Sequence, residues 1–527
     1  MHDPNEWWRT GVLYQVYPRS YADANGDGVG DLEGVRQRLD HLAWLGVRGV
    51  WLSPVTLSPN KDFGYDVADY RAIDPSFGTL DDLDRLIEEG GRRGLRVLMD
   101  LVPNHTSSEH PWFTASRSSR DDPRRDWYVW ADPAPDGGPP NNWVSNFGGP
   151  AWTFDERTGQ YYLHNFLAEQ PDLNWWCEEV RAEFDAILRF WFDRGVAGFR
   201  IDVAHMVVKD RELRDNPPAT EDDPFMDQVR GQTQTYNACR PEVHDIHKRW
   251  RAVAEEYDPP RLLVGETFLP KLEDVLAFYG RGDQLQLNFN IPFAEAPFVA
   301  TEMRDLIDRT EAGIPDGCTP VWVGSNHDIP RFPTRWAGGD PDRARAALVM
   351  LLTLRGTAVL YQGDEIGMVD TDVPREQLCD PVGIRFYPYY GRDPERTPMQ
   401  WRNAPGAGFT EPGVEPWLPF GDLTTNVEDQ RDDPDSFLTL CRDLIALRSE
   451  LPDLASGACC TVDAPDGALV YRRGESTLVA IAPGPDAVTV PDVHGTIRVG
   501  SRRARDGETV SGSLRLDAGE AVVLVLP

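Results

Sequence analysis

The chain has 527 residues, a net charge of −33 and a pI near 4.6, and hydrophobic residues make up 40% of it. A chain of this length is expected to form two or three domains with sizeable cores. The acidic charge argues against nucleic acid or an anionic membrane as a partner, because both bind positive faces, and it favours a neutral small-molecule substrate.

Cysteine usage and hydropathy indicate the compartment. The seven cysteines are an odd number and form no CxxC pair, which is typical of a reduced protein and not of a disulfide framework. The first residues show no charged-then-apolar leader, and no apolar run of 18 residues occurs. We therefore expect a soluble, cytoplasmic protein with no membrane partner. Its oligomeric state, monomer or homodimer, stays open at this point.

An acidic loop that resembles a calcium-binding loop follows the first predicted strand, residues 12–17. Its sequence, DANGDGVGDLEG, places Asp23, Asn25 and Asp27 at alternate positions, as the EF-hand pattern requires. The pattern also requires a bidentate Glu at its twelfth position, where this chain has Gly34. The loop is therefore either a calcium sensor that lacks a ligand or a brace inside a larger fold.

Eight short β-branched runs alternate with longer helical patterns over most of the chain. The predicted strands are residues 12–17, 49–52, 95–100, 198–202, 262–266, 285–289, 320–324 and 358–361. Predicted helices include residues 33–45, 80–93, 178–193 and 435–448. This alternation without hairpin turns implies parallel strands with right-handed crossovers, and eight of them close a (β/α)8 TIM barrel, an α/β fold. A doubly wound open sheet is disfavoured because no G-x-G-x-x-G motif follows the first strand.

Two segments interrupt the alternation. Residues 104–173 are rich in Trp, Pro, Gly and Asn without a helical period, which predicts an irregular subdomain inserted after strand 3. After Pro452 the chain changes to short alternating runs cut by Gly, Asp and Pro, which predicts a C-terminal antiparallel β-sandwich. The predicted domains are a catalytic barrel (1–103 and 174–452), the insert (104–173) and the C-terminal domain (453–527).

Polar side chains follow several of the predicted strands. Catalytic groups of a barrel collect at the carboxyl ends of its strands. The strand ends read MDLVPNH, GFRIDVAH, VGETF and GSNHD, and they carry Asp100, His105, Arg200, Asp202, Glu266, His327 and Asp328. Each acid by itself could cap the helix after its strand. Three strands that deliver carboxylates to one rim favour a catalytic site instead.

The neighbours of two of these acids suggest unequal pKa values. Asp202 follows Arg200 by two residues on one strand face, so we expect its pKa to be low and the carboxylate to serve as a nucleophile. Glu266 ends the apolar run LLVGE, where a carboxyl group keeps its proton and can act as an acid. Two such groups flanking one bond are what glycoside cleavage requires. HExxH, GxxxxGK[ST] and GxSxG motifs do not occur, and no organic cofactor is expected.

These segments carry a family resemblance. MDLVPNH, GFRIDVAH, VGETF and GSNHD, in this order, resemble the four conserved segments of the α-amylase superfamily, glycoside hydrolase family 13. AEQPDLNWW resembles the extra segment of its oligo-1,6-glucosidase and α-glucosidase branch. GVLYQVYPRSYADANGDGVGDL, SPNKDFGYDVADY and GRDPERTPMQW are also typical of that branch, so the resemblance covers nearly the whole chain.

The resemblance implies roles for individual residues. Asp202 would be the nucleophile, Glu266 the general acid/base and Asp328 the stabiliser of an oxocarbenium-like transition state. The terminal glucose would be held by Asp62, Tyr65, His105, Arg200, His327 and Arg392. It further implies retention of anomeric configuration through a covalent glucosyl-enzyme and exo attack in a closed pocket.

For the acidic loop, the resemblance implies one structural calcium ion and not a sensor. Its ligands would be Asp23, Asn25, Asp27, the Val29 carbonyl and Asp31. An Asp/Gly-rich turn that is empty or filled by magnesium is the alternative.

The preferred linkage is less strongly indicated. In this branch Val203, the residue after the expected nucleophile, is associated with α-1,6 cleavage, whereas REQLCDPVGIRFYPYYGRD resembles maltose-cleaving bacterial α-glucosidases. A single apolar residue shifts discrimination by only about 1–3 kcal/mol. We therefore expect an exo-α-glucosidase acting on short α-1,4-linked gluco-oligosaccharides such as maltose. Residues 206–240 are expected to line its outer pocket.

Four alternatives accompany this expectation. They are α-1,6 cleavage, glucosyl transfer to a sugar in place of water, a carbohydrate-binding protein, and a non-catalytic relative such as a transporter-subunit ectodomain. The last two are disfavoured because the chain keeps all three acids.

Overall fold

A computed structural model describes residues 6–223 and 225–527 of the chain. Eight parallel strands form a nearly closed barrel, which confirms the predicted (β/α)8 fold. We number them β1 (Val12–Val16), β2 (Gly49–Leu52), β3 (Arg96–Leu101), β4 (Gly198–Ile201), β5 (Leu262–Gly265), β6 (Leu287–Asn288), β7 (Val321–Val323) and β8 (Thr357–Tyr361). Hydrogen-bonded neighbours run β6-β5-β4-β3-β2-β1-β8-β7 within the described residues.

Alternate side chains of the strands face the barrel interior and the surrounding helices. Leu13, Leu98, Val264 and Val359 belong to one buried cluster inside the barrel. Tyr14, the neighbour of Leu13, belongs to the separate cluster between the strands and the helices. This period of two is the pattern of a strand buried on both faces.

Helices follow every strand. The main ones are Leu32–Gln37 and Leu39–Leu45 after β1, Leu80–Arg92 after β2, Glu178–Asp193 after β3, Val243–Ala254 after β4, Leu272–Leu276 after β5, Ala300–Gly313 after β6, Pro341–Thr353 after β7 and Phe437–Glu450 after β8. Shorter helices after β4, β6, β7 and β8 are Phe225–Arg230, Ile291–Glu295, Phe332–Arg335, Pro381–Phe386 and Val427–Arg431. Leu80–Arg92 begins with a capping box formed by Thr79 and Asp82.

The predicted single helix at residues 33–45 is wrong, because two helices separated at Arg38 occupy this segment. The Arg38 guanidinium lies over the Trp401 ring and donates a 2.7 Å hydrogen bond to the carbonyl of Gly408. These tertiary contacts fix a break that helical periodicity cannot predict.

Strands β4 and β5 end one residue earlier than predicted, so Asp202 and Glu266 lie just beyond them. The backbone N–H of Asp202 donates to the Leu101 carbonyl at 2.9 Å, and that of Glu266 to the Ile201 carbonyl at 3.0 Å. Both residues are therefore still fixed by hydrogen bonds to the neighbouring strand.

The segment after β3 contains a helix, Pro111–Ser116, and a small antiparallel sheet. The sheet strands are, in spatial order, Trp130–Ala131, Gln160–Leu163 and Trp152–Asp155. Trp143, Trp152 and Leu163 are buried together there. These elements lie within the predicted insert, whose boundaries stay a prediction.

After the last barrel helix and the short helix Pro452–Ser456, six antiparallel strands form one sheet, and not the two packed sheets of the predicted β-sandwich. In spatial order they are Cys459–Thr461, Leu469–Arg473, Thr477–Ile481, Ala521–Val525, Val488–Gly500 and Thr509–Leu516. Val470 and Leu478 lie in a core belonging to this sheet alone, whereas Tyr471 and Val479 share the core of the barrel helices. The two sets alternate along the strands, so the sheet has one face on its own core and one on the barrel. No helix among the described residues is long and apolar enough to cross a membrane.

Candidate active site

A cavity of about 1290 Å³ opens at the carboxyl ends of the barrel strands. Its lining includes most of the residues singled out from the sequence: Asp62, Tyr65, His105, Asp202, Glu266, Asp328 and Arg392. Arg200 and His327, also predicted, are fully buried behind the wall, where they contact the lining residues. The fold thus brings all nine predicted catalytic and substrate-binding residues to one place. Their individual roles stay predictions.

Arg200 lies at the centre of the site and faces three carboxyl groups. Its Nη1 lies 2.8 Å from Oδ1 of Asp100 and 2.8 Å from Oδ1 of Asp202. Its Nη2 forms an ion pair with Oε1 of Glu266, without the angles of a hydrogen bond. Asp100 was noted in the sequence only as the end of a strand, yet it belongs to this cluster.

The pKa of Asp202 differs from the expectation. Burial is the strongest influence and raises it; Arg200 acts to lower it, and the charges of Glu266 and Asp100 raise it further, so the net shift is upward. Burial likewise raises the pKa of Glu266, and that of Asp100 to about 7. The prediction of a low pKa for Asp202 counted only Arg200 and is wrong in this structure, because three carboxyl groups share one cation. Such a cluster retains a proton near neutral pH, and the geometry favours Glu266 as its carrier, because Asp202 accepts a hydrogen bond from Arg200 whereas Oε1 of Glu266 has no hydrogen-bond partner among the described residues. Asp202 is then ionised, and Glu266 holds the proton that acid catalysis requires.

Asp328 has the opposite electrostatic environment. Its Oδ1 accepts hydrogen bonds from Arg396 at 2.6 Å and Arg392 at 3.1 Å, and its Oδ2 lies 3.3 Å from Nε2 of His327. Burial acts to raise its pKa, but the interaction with His327 and the charges of Arg392 and Arg396 outweigh burial and hold the pKa below its usual range. Asp328 is therefore ionised. Arg396 was missed as a site residue, although it belongs to the GRDPERTPMQW segment.

Asp62 and Arg392 form a buried ion pair in the cavity wall, and we take this part of the wall as the closed end of the cavity. Nη2 of Arg392 donates to Oδ1 of Asp62 at 3.0 Å, and Gln170 donates to Oδ2 at 3.1 Å. Burial raises the pKa of Asp62 to about 6. Arg392 in turn is held by Asp380, which sequence reasoning missed because its contact with Arg392 depends on loop packing.

Tyr65 is fixed beside this closed end. Its ring is stacked on that of His327, with an interplanar angle of 6° and a centroid distance of 5.4 Å. Its hydroxyl lies 2.5 Å from Nε2 of His327 and 3.2 Å from Asp100. His105 lies 3.0 Å from the Tyr65 carbonyl, and burial lowers its pKa to about 4, so it is neutral at pH 7. These contacts fix the rings of Tyr65 and His327 in the cavity wall before a substrate binds.

Val203 follows Asp202 in the chain and contacts Glu266 through its backbone. Its N–H donates to Oε2 of Glu266 at 3.3 Å, and its φ of 36° is uncommon for a β-branched residue. The side chain lines the cavity next to Met206 and Ala238. Residues 206–240 contribute further to the lining, with Thr233, Gln234 and Arg240 among others, so the prediction for this segment is confirmed.

The acidic loop after β1 supports itself through its own side chains. Asp23 accepts hydrogen bonds from the N–H groups of Gly26 and Gly28, and Asp31 caps the helix Leu32–Gln37. Asn25 and Asp27 each accept a hydrogen bond from the N–H two residues later. The described residues contain no group of three or more His, Cys, Asp or Glu side chains placed to hold a metal ion. The predicted ligand set also includes the Asn25 side chain and the Val29 carbonyl, which lie outside such a group, and the calcium prediction stays a prediction.

A (β/α)8 barrel that brings three carboxyl groups from separate strand ends to one cavity is an arrangement suited to glycoside cleavage. The model of the α-amylase catalytic domain matches residues 15–457. The chain belongs to this family, and its recognition as a glycoside hydrolase of the α-glucosidase and oligo-1,6-glucosidase branch is confirmed.

Similar proteins span almost the whole chain. A protein of Rhizobium meliloti (strain 1021) named "Probable alpha-glucosidase" is 44% identical over 89% of this chain and 87% of its own length. An oligo-1,6-glucosidase of Heyndrickxia coagulans is 38% identical over 90% and 92%. The crystal structure of XgtA, an alpha-glucosyl transfer enzyme, superimposes with a TM-score of 0.92 at 40% identity, covering 99% of each chain.

Proposed function

We propose that the protein is a retaining, exo-acting α-glucosidase that releases α-glucose from the non-reducing end of short α-1,4-linked gluco-oligosaccharides such as maltose. The observation that carries this proposal is that one cavity is lined by Asp202, Glu266 and Asp328 together with the buried Asp62–Arg392 pair, which we infer to be its closed end. A closed end accommodates a terminal sugar and not the middle of a chain.

The proposed reaction has two steps at the anomeric carbon. In the first, Asp202 attacks this carbon while Glu266 gives its proton to the glycosidic oxygen, and the carbon–oxygen bond breaks with its electron pair going to that oxygen. In the second, water attacks the same carbon, Glu266 takes up the water proton, and the ester bond to Asp202 breaks. Two inversions give overall retention.

The remaining side chains stabilise charge. Positive charge develops on the sugar ring in both transition states, and the ionised Asp328 is placed to stabilise it. Arg392 and Arg396 hold Asp328 in position and keep it ionised. Asp62 and Arg392 would bind glucose hydroxyls at the closed end, with Asp62 accepting hydrogen bonds.

Two further reactions are supported by particular observations. Val203 in the cavity wall favours α-1,6 cleavage, and the similarity to an alpha-glucosyl transfer enzyme supports transfer to a sugar acceptor that competes with water for the same intermediate. A non-catalytic role is disfavoured, because the chain keeps all three acids in one cavity.

The deciding experiment is proton NMR of the enzyme with equimolar maltose and isomaltose, following the anomeric signals from the first minutes. Early loss of maltose with α-glucose appearing first supports the proposal. Earlier loss of isomaltose would assign the protein to the oligo-1,6 group, and initial β-glucose would contradict retention.

We further propose a structural calcium ion, or magnesium in its place, in the acidic loop and a cytoplasmic location. The first is supported by the hard oxygen donors of Asp23, Asn25, Asp27 and Asp31 within nine residues, and the second by the odd number of cysteines. No step of the reaction depends on the ion.

A further inference from the structure

The side chain of Gln15 in β1 is fully buried next to His327 and takes no part in the proposed reaction. Its Nε2 lies 2.8 Å from Nδ1 of His327 and 3.1 Å from Oγ of Ser53, whereas its Oε1 has no hydrogen-bond partner among the described residues. An amide that interrupts an apolar strand costs free energy unless its hydrogen bonds are made. The contact with His327 therefore indicates a role for this amide.

The partners of Gln15 decide which end of its amide faces His327. In the observed orientation both N–H groups are donated, and only a carbonyl oxygen stays unpaired. The reversed orientation would bury both N–H groups without an acceptor, which costs more free energy. It would also place the proton of His327 on Nδ1 and turn the lone pair of Nε2 towards the Asp328 carboxylate, 3.3 Å away. The observed orientation is therefore favoured.

The hydrogen bond from Gln15 fixes the tautomer of His327. Burial holds the pKa of His327 well below its ordinary value, so the ring is neutral and carries one proton. Because Nδ1 accepts from Gln15, this proton is on Nε2. Nε2 then donates to the hydroxyl oxygen of Tyr65 at 2.5 Å.

The direction of that bond determines the next one. The Tyr65 hydroxyl has one proton, and because its oxygen accepts from His327, it donates to Oδ2 of Asp100 at 3.2 Å. Asp100 also accepts from Nη1 of Arg200 at 2.8 and 2.9 Å and from Trp51 at 3.3 Å. A proton on Asp100 would face another N–H or O–H group. This chain of hydrogen bonds therefore favours the ionised form of Asp100.

We propose that Gln15 is a positioning residue that keeps Asp100 ionised through this chain of hydrogen bonds. The proton shared by the carboxyl cluster then stays on Glu266, where acid catalysis requires it. Asp100 competes for this proton, because burial raises its pKa to about 7. Without the Gln15 amide the chain can reverse, with Asp100 donating to Tyr65, and the proton is lost to catalysis. The inference rests on the proposed function and deepens it.

Other titratable groups face this chain from neighbouring strand ends. They are Tyr17, Asp328, Arg392 and Arg396 around His327, and Arg200, Asp202 and Glu266 around Asp100. All of them remain when Gln15 alone is replaced. A change in the distribution of the proton after that replacement therefore reports on the amide.

The experiment measures kcat/KM for maltose against pH in the wild type and in Gln15→Met, which removes the donor and keeps an unbranched, flexible side chain. Loss of one buried hydrogen bond should move the proton to Asp100 in most molecules, so we expect the maximum of the profile to fall about tenfold. Because the cluster then holds its proton in more ways, the alkaline limb should rise by about one pH unit. At higher pH the two profiles should meet, since the population with the proton on Glu266 is then equal in both enzymes.

A second substrate separates loss of the acid from general damage. The 4-nitrophenolate leaving group needs little protonation, so Gln15→Met should lower kcat/KM for 4-nitrophenyl α-glucoside less than that for maltose. Gln286→Met is the matched control, because Gln286 is a buried amide whose partners are the Arg261 carbonyl and the Leu263 N–H. It should lower Tm without moving the alkaline limb.

Two kinetic results would overturn the inference. The first is a Gln15→Met profile that falls without an upward shift of its alkaline limb. The second is an equal loss for both substrates. Either result would assign Gln15 a purely structural role.

Neutron diffraction of the deuterated wild-type enzyme at neutral pH tests the chain without a variant and without turnover. Deuterium on Nε2 of His327 and none on Asp100 supports the inference, and deuterium on Nδ1 contradicts it. If the wild type cleaves neither maltose nor 4-nitrophenyl α-glucoside, the proposed function fails. The position of the ring deuterium still decides whether Gln15 fixes the chain.

Discussion

The Asp380 carboxylate holds the Arg392 side chain through hydrogen bonds from Nη2 at 2.8 Å and Nε at 3.2 Å. The same guanidinium reaches Asp62 and Asp328. Burial acts to raise the pKa of Asp380, but the charge and hydrogen bonds of Arg392 outweigh it and lower the pKa to about 2. Asp380 is therefore an ionised positioning residue that caps the helix Pro381–Phe386 and holds Arg392 against Asp62.

Asp380→Asn should weaken substrate binding at the closed end. We expect KM for maltose to rise about tenfold, with a smaller change in kcat, because Arg392 loses a charged hydrogen-bond partner. Asp155→Asn is the matched control, since Asp155 is a buried partner of Arg117 outside the cavity lining. It should lower Tm without raising KM. An equal rise of KM in both variants would argue against a positioning role.

Asp202→Ala should remove the nucleophile. We expect kcat/KM for 4-nitrophenyl α-glucoside to fall about 10⁴-fold. Azide, which can enter the space left by the carboxylate, should restore turnover and give the β-glucosyl azide, identified by proton NMR. Full activity of the variant would contradict the assigned nucleophile, and an α-azide would contradict the face of attack.

Asp62→Asn tests whether titration of the Asp62 carboxyl group controls the activity at acidic pH. Because the pKa of Asp62 is raised to about 6, this carboxyl group gains a proton as the pH falls through that value and loses its charge pairing with Arg392. The wild-type kcat/KM for maltose should therefore fall as the pH drops through about 6. The amide that replaces the carboxyl group in the variant carries no charge at any pH. The ratio of variant to wild-type kcat/KM should therefore rise as the pH falls over the same interval. A ratio independent of pH would show that another group controls this limb.

Val203→Thr should change the preferred linkage. Threonine keeps the β-branched shape at φ 36° and adds a hydroxyl group to the cavity wall. We expect the ratio of kcat/KM for isomaltose to that for maltose to fall about tenfold. Val203→Ala, which stays apolar, should change the ratio less. An unchanged ratio in the threonine variant would remove Val203 as a determinant of linkage.

Removal of divalent metal tests the proposed calcium brace. With EGTA, Tm should fall by about 2–4 °C, as expected for the loss of a ligand contributing about 1 kcal/mol in a large domain. Asp27→Ala should abolish the response. Asp136→Ala is the control, because Asp136 also accepts a hydrogen bond from the amide two residues later but lies outside the acidic loop. This variant should retain the response to EGTA. A Tm insensitive to EGTA would support a turn held by its own hydrogen bonds.

The barrel and the positions of its acids could be predicted from the order of the residues along the chain. Eight β-branched runs alternating with helical periods allow few arrangements other than a closed parallel sheet. Because catalytic groups of such a barrel gather at the carboxyl ends of its strands, chain position placed Asp202, Glu266 and Asp328 at one rim, and the family resemblance assigned their roles. Helix and strand propensities depend on residues that are neighbours in the chain, which explains why the order of the elements could be predicted.

The pKa shifts in the site and the exact ends of the helices and strands depend on the folded chain. Asp100 and Glu266 approach Arg200 from different strands, so the upward shift of the Asp202 pKa depends on distances that no spacing in the sequence contains. Likewise, the break at Arg38 depends on a ring more than three hundred residues away in the chain. Burial and charge act through space, and only the folded chain sets those separations.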